Sequence, residues 1–439
     1  MKKTLLVIMI FLVMASCLVT RGWTYLSLWN PRFEDREIFG RDFVNGYYLY
    51  GELLRKGHFY FYDRSQLDSY LAMERPGMTE HFPPAYPPVA FALYIPMTCL
   101  EPFQAKLLNF WLNHLWLLIT VLLTGFIFSK NLPPRKILVI SLGAWGALLV
   151  FSPVIDNLLS GQINIFLTML LALFLFLYTR ERFLWASLVL ALAVNIKLFP
   201  LACLFLFIIK RQWKALLWTF AFIVLFNVPF LFLADPVKLY GGLFTCLGST
   251  IIDIKSVSCQ ALPAALVRTL GLTFTSEAYI IFCRAVFAVV ASLIVLICWR
   301  FAGRESPLPL EKDLFLFTAL LHIYFLGFYY IFPTHHVMII IFYLVSLYFY
   351  ILWRSEAFIS ALIMLGVYFL TAQFDGEVSV LYGDFMLKKF LLRHNVGFLL
   401  ILCTFLLNLE LLFSVTSGRK PSGGPTRRPP PQSKDISQG

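Results

Sequence analysis

The sequence predicts an all-α integral membrane protein, and three observations carry that prediction. Apolar residues make up 59% of the 439 and charged residues only 14%, where a soluble chain carries about 25% charge. The apolar residues fall in runs close to the ~20 that a helix needs to cross a bilayer, with room for about 12 such helices. The excess of bases, a net charge of +12, gathers in short loops between those runs, where lysine and arginine set topology. That placement argues against nucleic acid as a partner.

The first apolar run, 3–29, follows Lys2 and Lys3 and ends among Trp23, Tyr25 and Trp29, an interfacial aromatic belt. Its start has the look of a signal peptide with a rough lipobox at Cys17. Met14 suits cleavage poorly and the run continues past Cys17, so an uncleaved anchor is expected. A long extracytoplasmic loop, 30–103, comes next, with a short helix expected over 47–55. Within it, 83–100 (PPAYPPVAFALYIPMTCL) is apolar but short and broken by proline. Letting it cross would move every later basic cluster to the other face, so it reads as a surface half-helix.

Further spans are expected at 106–129, 137–155, 163–179, 184–199, 201–209, 215–233, 278–299, 314–332, 337–353, 358–374 and 396–413, with an external loop at 235–276. Bases then mark each inner turn: Lys130 and Lys136, Arg180 and Arg182, Lys210 and Arg211, Arg300 and Arg304, Arg354. The reading is about 12 spans with both termini cytoplasmic. Residues 1–416 form one polytopic domain, and 417–439, rich in Pro, Gly, Ser and Arg, form a disordered basic cytoplasmic tail. The eight cysteines lie mostly in apolar runs without metal-ligand spacing, as small buried hydrophobes do. Cys246 and Cys259 share an external loop and form a candidate disulfide.

Polar residues collect at the outer ends of these spans: Asp42, Asp156, Asn157, Gln162, Asn164, Asn195, Lys197, His335 and His336. Ionisable groups at membrane depth are costly and usually mark a site. The bland alternative is that each caps a helix end or snorkels. Asp42, between Arg41 and Phe43, either pairs with Arg41 or Arg36 or serves as a general base toward an acceptor hydroxyl. Lys197, in VNIKLFP beside Asn195, suits an anionic group such as a phosphate. His335 and His336 can bind phosphate or handle a proton. In SGQIN, Gln162 and Asn164 either bond sugar hydroxyls or cap the helix that follows. No phosphate-binding glycine loop and no nucleotide-binding soluble domain is present, so a transferase would draw its donor from the membrane.

The chain resembles glycosyltransferase family 87 of the GT-C superfamily, the polyprenol-phosphate-mannose-dependent α-mannosyltransferases. The resemblance rests on RDFVNGYYLYGELLRKGHFYFYD, YPPVAFALYIP, SGQINIFLTMLLALFLF, LALAVNIKLFPLACLFLFIIKRQWKAL, SVSCQALPAALVRTL and PTHHVMIIIF, in the family's order. It implies a GT-C bundle with short surface helices in its first extracytoplasmic loop and an extracytoplasmic active site in a bacterial inner membrane. It further implies inverting transfer of a hexose, mannose by the family's pattern, to a lipid or glycan acceptor. Asp42 would be the catalytic base. Lys197, His335, His336 and Arg393 would hold the donor phosphate, and Asp156, Asn157, Gln162, Asn164 and Asn195 would line the sugar and acceptor. The polyprenyl-phosphate sugar is a co-substrate and no cofactor is implied. No acid pair flanks Asp42, so no obligate metal is implied either. A secondary transporter or lipid-linked-sugar flippase is the main alternative; it would show inverted repeats with matching broken spans. A scaffold subunit or a polymer ligase is a further one.

Overall fold

The computed structural model describes residues 40–74, 84–149, 151–249, 261–272, 276–328, 333–353 and 396–417. The expected spans 3–29 and 358–374, the tail from 418, Arg393 and Cys259 lie outside these residues. Among the described residues every regular element is helical.

A π-helical turn, Phe43–Tyr48, leads into α1 (Leu49–Arg55), followed by α2 (Arg64–Glu74). The apolar proline-rich segment forms α3 (Pro88–Ala92) and a 3-10 turn, Ile95–Cys99. Twelve residues of helix rise about 18 Å against a hydrocarbon core of about 30 Å, so this piece falls short of a straight crossing. It packs on α1 through Gly51, where a Cβ would stand 3.2 Å from the Phe91 carbonyl oxygen.

The bundle proper begins with α4 (Pro102–Ile127) and α5 (Pro134–Leu148). The third expected span, 137–155, is not continuous: α5 and α6 (Ser152–Ser160) meet at 70°. Pro153 stands in the first turn of α6, where its missing N–H costs nothing, whereas in mid-span it would leave a carbonyl unpaired. Next come α7 (Asn164–Thr179), α8 (Phe183–Ile196), a 3-10 turn Phe199–Cys203 with α9 (Leu204–Ile209), and α10 (Trp213–Leu233). The expected external loop 235–276 carries α11 (Pro236–Ser249) and α12 (Leu262–Leu270), each opened by a proline near its start. The last elements are α13 (Ser276–Ala302), α14 (Pro309–His322) with a π-helical turn Ile323–Gly327, a 3-10 segment Pro333–Ile339, α15 (Ile340–Trp353) and α16 (Val396–Thr416).

Five of the described helices are long and apolar enough to cross a bilayer, or six if the bent α5–α6 pair counts as one. The spans expected at 163–179, 184–199 and 201–209 are shorter than a straight crossing requires, at 16 residues for α7, 14 for α8 and six for α9. α10 and α13 turn apolar side chains outward, with Phe232 85% and Leu296 65% exposed. Such faces are stable in lipid and not in water.

The core centres on α7, whose Phe174 ring meets Phe207 and Phe317, each at 5.7 Å. α4 and α7 pack in parallel. The Asn109 amide donates to the Gly161 carbonyl at one end (3.3 Å), and Arg180 donates to the Phe126 carbonyl (2.9 Å) at the other. α8 and α10 are parallel too: the Ser187 hydroxyl donates to the Ala215 carbonyl, and further along the Asn227 amide donates to the Asn195 side chain. The residues 199–209 therefore make the return between them. Contacts at the Arg180 end include Lys210 with Asp313, Ser141 with Tyr348, and Ser306 with the Val415 carbonyl. This is the end to which the sequence assigns its basic turns; the polar candidates gather at the other.

Candidate active site

Two left-handed glycines bring Asp42 to the α6–α7 turn. Gly40 (φ +64°) donates its N–H to the Leu159 carbonyl at 2.6 Å. Gly161 (φ +75°) ends α6 in the usual left-handed cap, its N–H on the Asn157 carbonyl at 2.9 Å. The chains approach so closely that a Cβ on Gly161 would lie 2.6 Å from the Phe43 Cβ. A larger residue at Gly161 would force this turn away from the Asp42 segment, and one at Gly40 would press on the Lys106 side chain, 2.9 Å from its Cγ. Asp42 then opens directly into the π-helical turn, a local widening that recurs at functional sites.

From Asp42 a chain of side chains runs inward. Gln162 donates from Nε2 to Asp42 Oδ2 at 2.5 Å and accepts at Oε1 from Asn164 Nδ2 at 2.8 Å. The same Asn164 amide donates to Asn157 Oδ1 at 3.1 Å. Asn164 Oδ1 accepts from Lys197 Nζ at 3.0 Å. The two ends set the direction of the amides: a carboxylate must be met by N–H, and an ammonium by C=O. α7 takes Ile163 as its N-cap and has no side-chain capping bond. Gln162 and Asn164 therefore join this chain instead of capping the helix.

Lys197 reaches Asn164 because α8 stops one residue earlier. Its own backbone is extended (φ −151°, ψ 134°), and Pro200 starts the next turn. Its ammonium also lies 5.5 Å from the Tyr86 ring centroid, a cation–π contact. Tyr86 and Tyr47 face each other at 5.3 Å, and Tyr47 stacks on Tyr94 at 5.1 Å. Burial, with Tyr86 and Tyr94 beside it, pushes the Tyr47 phenol well above its usual range; burial pushes Tyr86 up to about 12. Both stay neutral hydroxyl groups at any physiological pH. Asp42, Gln162, Lys197 and Tyr86 each keep some accessible surface while Asn157 and Asn164 behind them have none. The network thus has an open face.

His335 is buried on the 3-10 segment that packs on α6 and α7, within electrostatic reach of Lys197 and His336. Its ring lies 6.0 Å from that of Tyr324, which stacks on Phe199 at 4.2 Å. His336 is buried against Phe325 at 6.1 Å. Asp156 is buried in α6 next to Asn157. Asn195 belongs elsewhere: it bonds Asn227, which accepts from the Tyr240 hydroxyl at 2.6 Å. Lys197, on extended backbone beyond the end of α8, bonds Asn164 instead, so the two side chains join different networks. Tyr47, Tyr86 and Asn109 enter the site without having been expected from sequence. The aromatic spacing in GYYLY and AYPPVAFALY was the signal for the two tyrosines. Among the described residues no group of three or more His, Cys, Asp or Glu side chains converges.

A helical bundle with outward apolar faces and a carboxylate–amide–ammonium chain at one end is a polytopic membrane protein with an end-on polar site. The model of glycosyltransferase family 87 matches residues 85–326, more than half of the 439-residue chain. The chain belongs to that family and is a membrane glycosyltransferase. The match includes Asp156, Asn157, Gln162, Asn164, Asn195 and Lys197; it begins after Asp42 and ends before His335. No curated protein and no solved structure matches the chain.

Proposed function

We propose that the protein transfers a hexose, mannose in the first instance, from a polyprenyl-phosphate donor to a hydroxyl of a lipid or glycan acceptor, with inversion. The observation that carries this is the placement of Asp42 and Lys197, distant in sequence, on one open network bridged by Gln162 and Asn164. Transfer needs a base at the acceptor and a cation at the leaving phosphate, held apart by about one sugar. Asp42 takes the acceptor proton as that oxygen attacks the anomeric carbon. The bond from that carbon to the phosphate oxygen breaks with its electron pair, and the charge that grows on the phosphate is met by Lys197, with His335 close by.

A phosphate leaving group needs little acid help, so one carboxylate suffices. Asn157 backs Asn164, with Asp156 beside it in the chain, and the partly exposed ring of Tyr86 next to Lys197 offers a face to the sugar. Arg393 lies outside the described residues, while His336 packs against Phe325 and Asn195 bonds Asn227, and this reading uses neither. The active site would face the outside of a bacterial inner membrane, opposite the basic turns.

The test is a transfer assay with purified protein in lipid, supplied with radiolabelled polyprenyl-phosphate mannose and glycolipid extract. Label should move into a new glycolipid with wild type and not with Asp42→Asn, whose amide cannot take the proton. Wild-type rates from Asp42→Asn would remove Asp42 from the chemistry. Donor appearing on the opposite leaflet, with no new glycolipid, would make the protein a flippase.

A further inference from the structure

We infer that Gln162, held by Asn164, is a positioning residue that sets the orientation and charge of the base. The inference rests on the reading of Asp42 as base and Lys197 as phosphate ligand, and adds how the two are kept ready. Gln162 has one amide group, and both of its polar ends are occupied: Nε2 by Asp42 and Oε1 by Asn164. Asn164 donates both of its N–H groups, to Gln162 and Asn157, and accepts from Lys197. One Gln162 N–H and one lone pair on each amide oxygen lie outside the chain, but the bonds already made fix how both amides are turned.

The order of the bonds is imposed by charge. Lys197 has no acceptor lone pair, so Asn164 must offer it oxygen and turn its Nδ2 toward Gln162. Gln162 then offers oxygen to Asn164 and its N–H to Asp42. Reversing any amide would set oxygen against carboxylate or N–H against ammonium. Lys197 therefore fixes, two amides away, that Asp42 receives a donor on Oδ2, which favours the ionised form a base needs. Among the described residues, groups near Asp42 include Arg41, its Nε at 4.0 Å from Oδ1, and the neutral phenols of Tyr47 and Tyr86, with Lys197 and His335 beyond.

The experiment measures initial transfer rates against pH for wild type, Gln162→Leu and Gln162→Glu, with polyprenyl-phosphate mannose as donor. Losing the oriented bond should lower kcat by about 100-fold while KM for the donor stays within about twofold. The acid limb of the profile should move to higher pH in both variants, and further in Gln162→Glu, where two carboxylates compete for a proton. A raised KM at unchanged kcat would make Gln162 a substrate contact and overturn the inference. So would a lower kcat with the acid limb unmoved, the mark of a merely structural role. Should Gln162→Leu fail to fold, Gln162→Glu and the shorter Gln162→Asn decide by the same two readouts. If Asp42→Asn retains activity, the base reading falls first. If it is inert while both Gln162 variants keep the wild-type profile, only this inference falls.

Discussion

The two ends of the bundle each hold an acid and a lysine, arranged in opposite ways. At the basic end Lys210 and Asp313 form a direct pair, Nζ to Oδ1 at 2.7 Å. At the other end Lys197 and Asp42 do not touch; Asn164 and Gln162 stand between them. A direct pair neutralises both charges and leaves little field for a ligand. Two charges spaced by oriented amides remain available, the carboxylate to a proton and the ammonium to an anion. The first arrangement ties helices together, and the second suits chemistry.

The comparison is broken most severely by removing charge at the open end. Asp42→Asn should reduce transfer by about 10³-fold without loss of folded protein in the membrane, as measured by elution profile and thermal melt. Lys197→Met should come next, lowering kcat/KM by about 10²-fold through the loss of its charge on the leaving phosphate. Lys210→Met is the control at the other end. It should leave kcat near wild type and cost stability, about 1–2 kcal/mol, since the paired side chains are 26% and 19% exposed and water screens part of the loss. Equal losses of activity from both lysine variants would show that the two ends are not functionally distinct.

Much of this contrast was legible in the sequence. Asp42, Gln162, Asn164 and Lys197 stood out because each is polar at the margin of an apolar run, and the structure brings these four together. The basic turns sorted one end of the bundle from the other because cations at span ends reveal direction whatever the packing. The breaks were harder to see. Pro153 can kink a span or start a new helix, and only the packing of α6 on the Pro333–Ile339 segment decides. Asn195 was grouped with Lys197 by closeness in sequence, although the helix ends between them and their side chains bond different partners. The direction of the Gln162 and Asn164 amides follows from their three-dimensional neighbours and has no local signature. Tyr86 lay in a segment that read as a surface helix, and its place over Lys197 depends on the fold of the whole first loop.

The contact that sets the open end can be sharpened through Gly161. Gly161→Ala should cost about 1–2 kcal/mol for its left-handed backbone alone, and more as its Cβ, 2.6 Å from the Phe43 Cβ, forces the turn and the Asp42 segment apart. The expected result is a lower melting midpoint together with a fall in kcat. A variant with reduced stability and unchanged kcat would mean that Asp42 is held by Gln162 alone, independently of this close approach.

The smallest effect lies on the first loop, where charges again pair directly. Glu74 meets Lys56 at 2.5 Å and His58 at 3.2 Å, joining the end of α2 to the end of α1. The Lys56 bond, then that of His58, holds the Glu74 carboxyl below its usual 4.5. Glu74 in turn holds the Lys56 ammonium above its usual 10.5. A lowered carboxyl pKa contributes stability that is present above 4.5 and fades as pH falls through the lowered value. A raised ammonium pKa contributes stability that is present below 10.5 and fades as pH rises through the raised value. The difference in melting midpoint between wild type and Glu74→Gln should therefore be flat between those limits and close on either side. Both groups are exposed, so the plateau should be small and should shrink with salt. A difference that persists unchanged well below pH 4 would show that Glu74 acts through packing and not through its charge. This clasp would then not be the loop's counterpart of the Lys210–Asp313 pair.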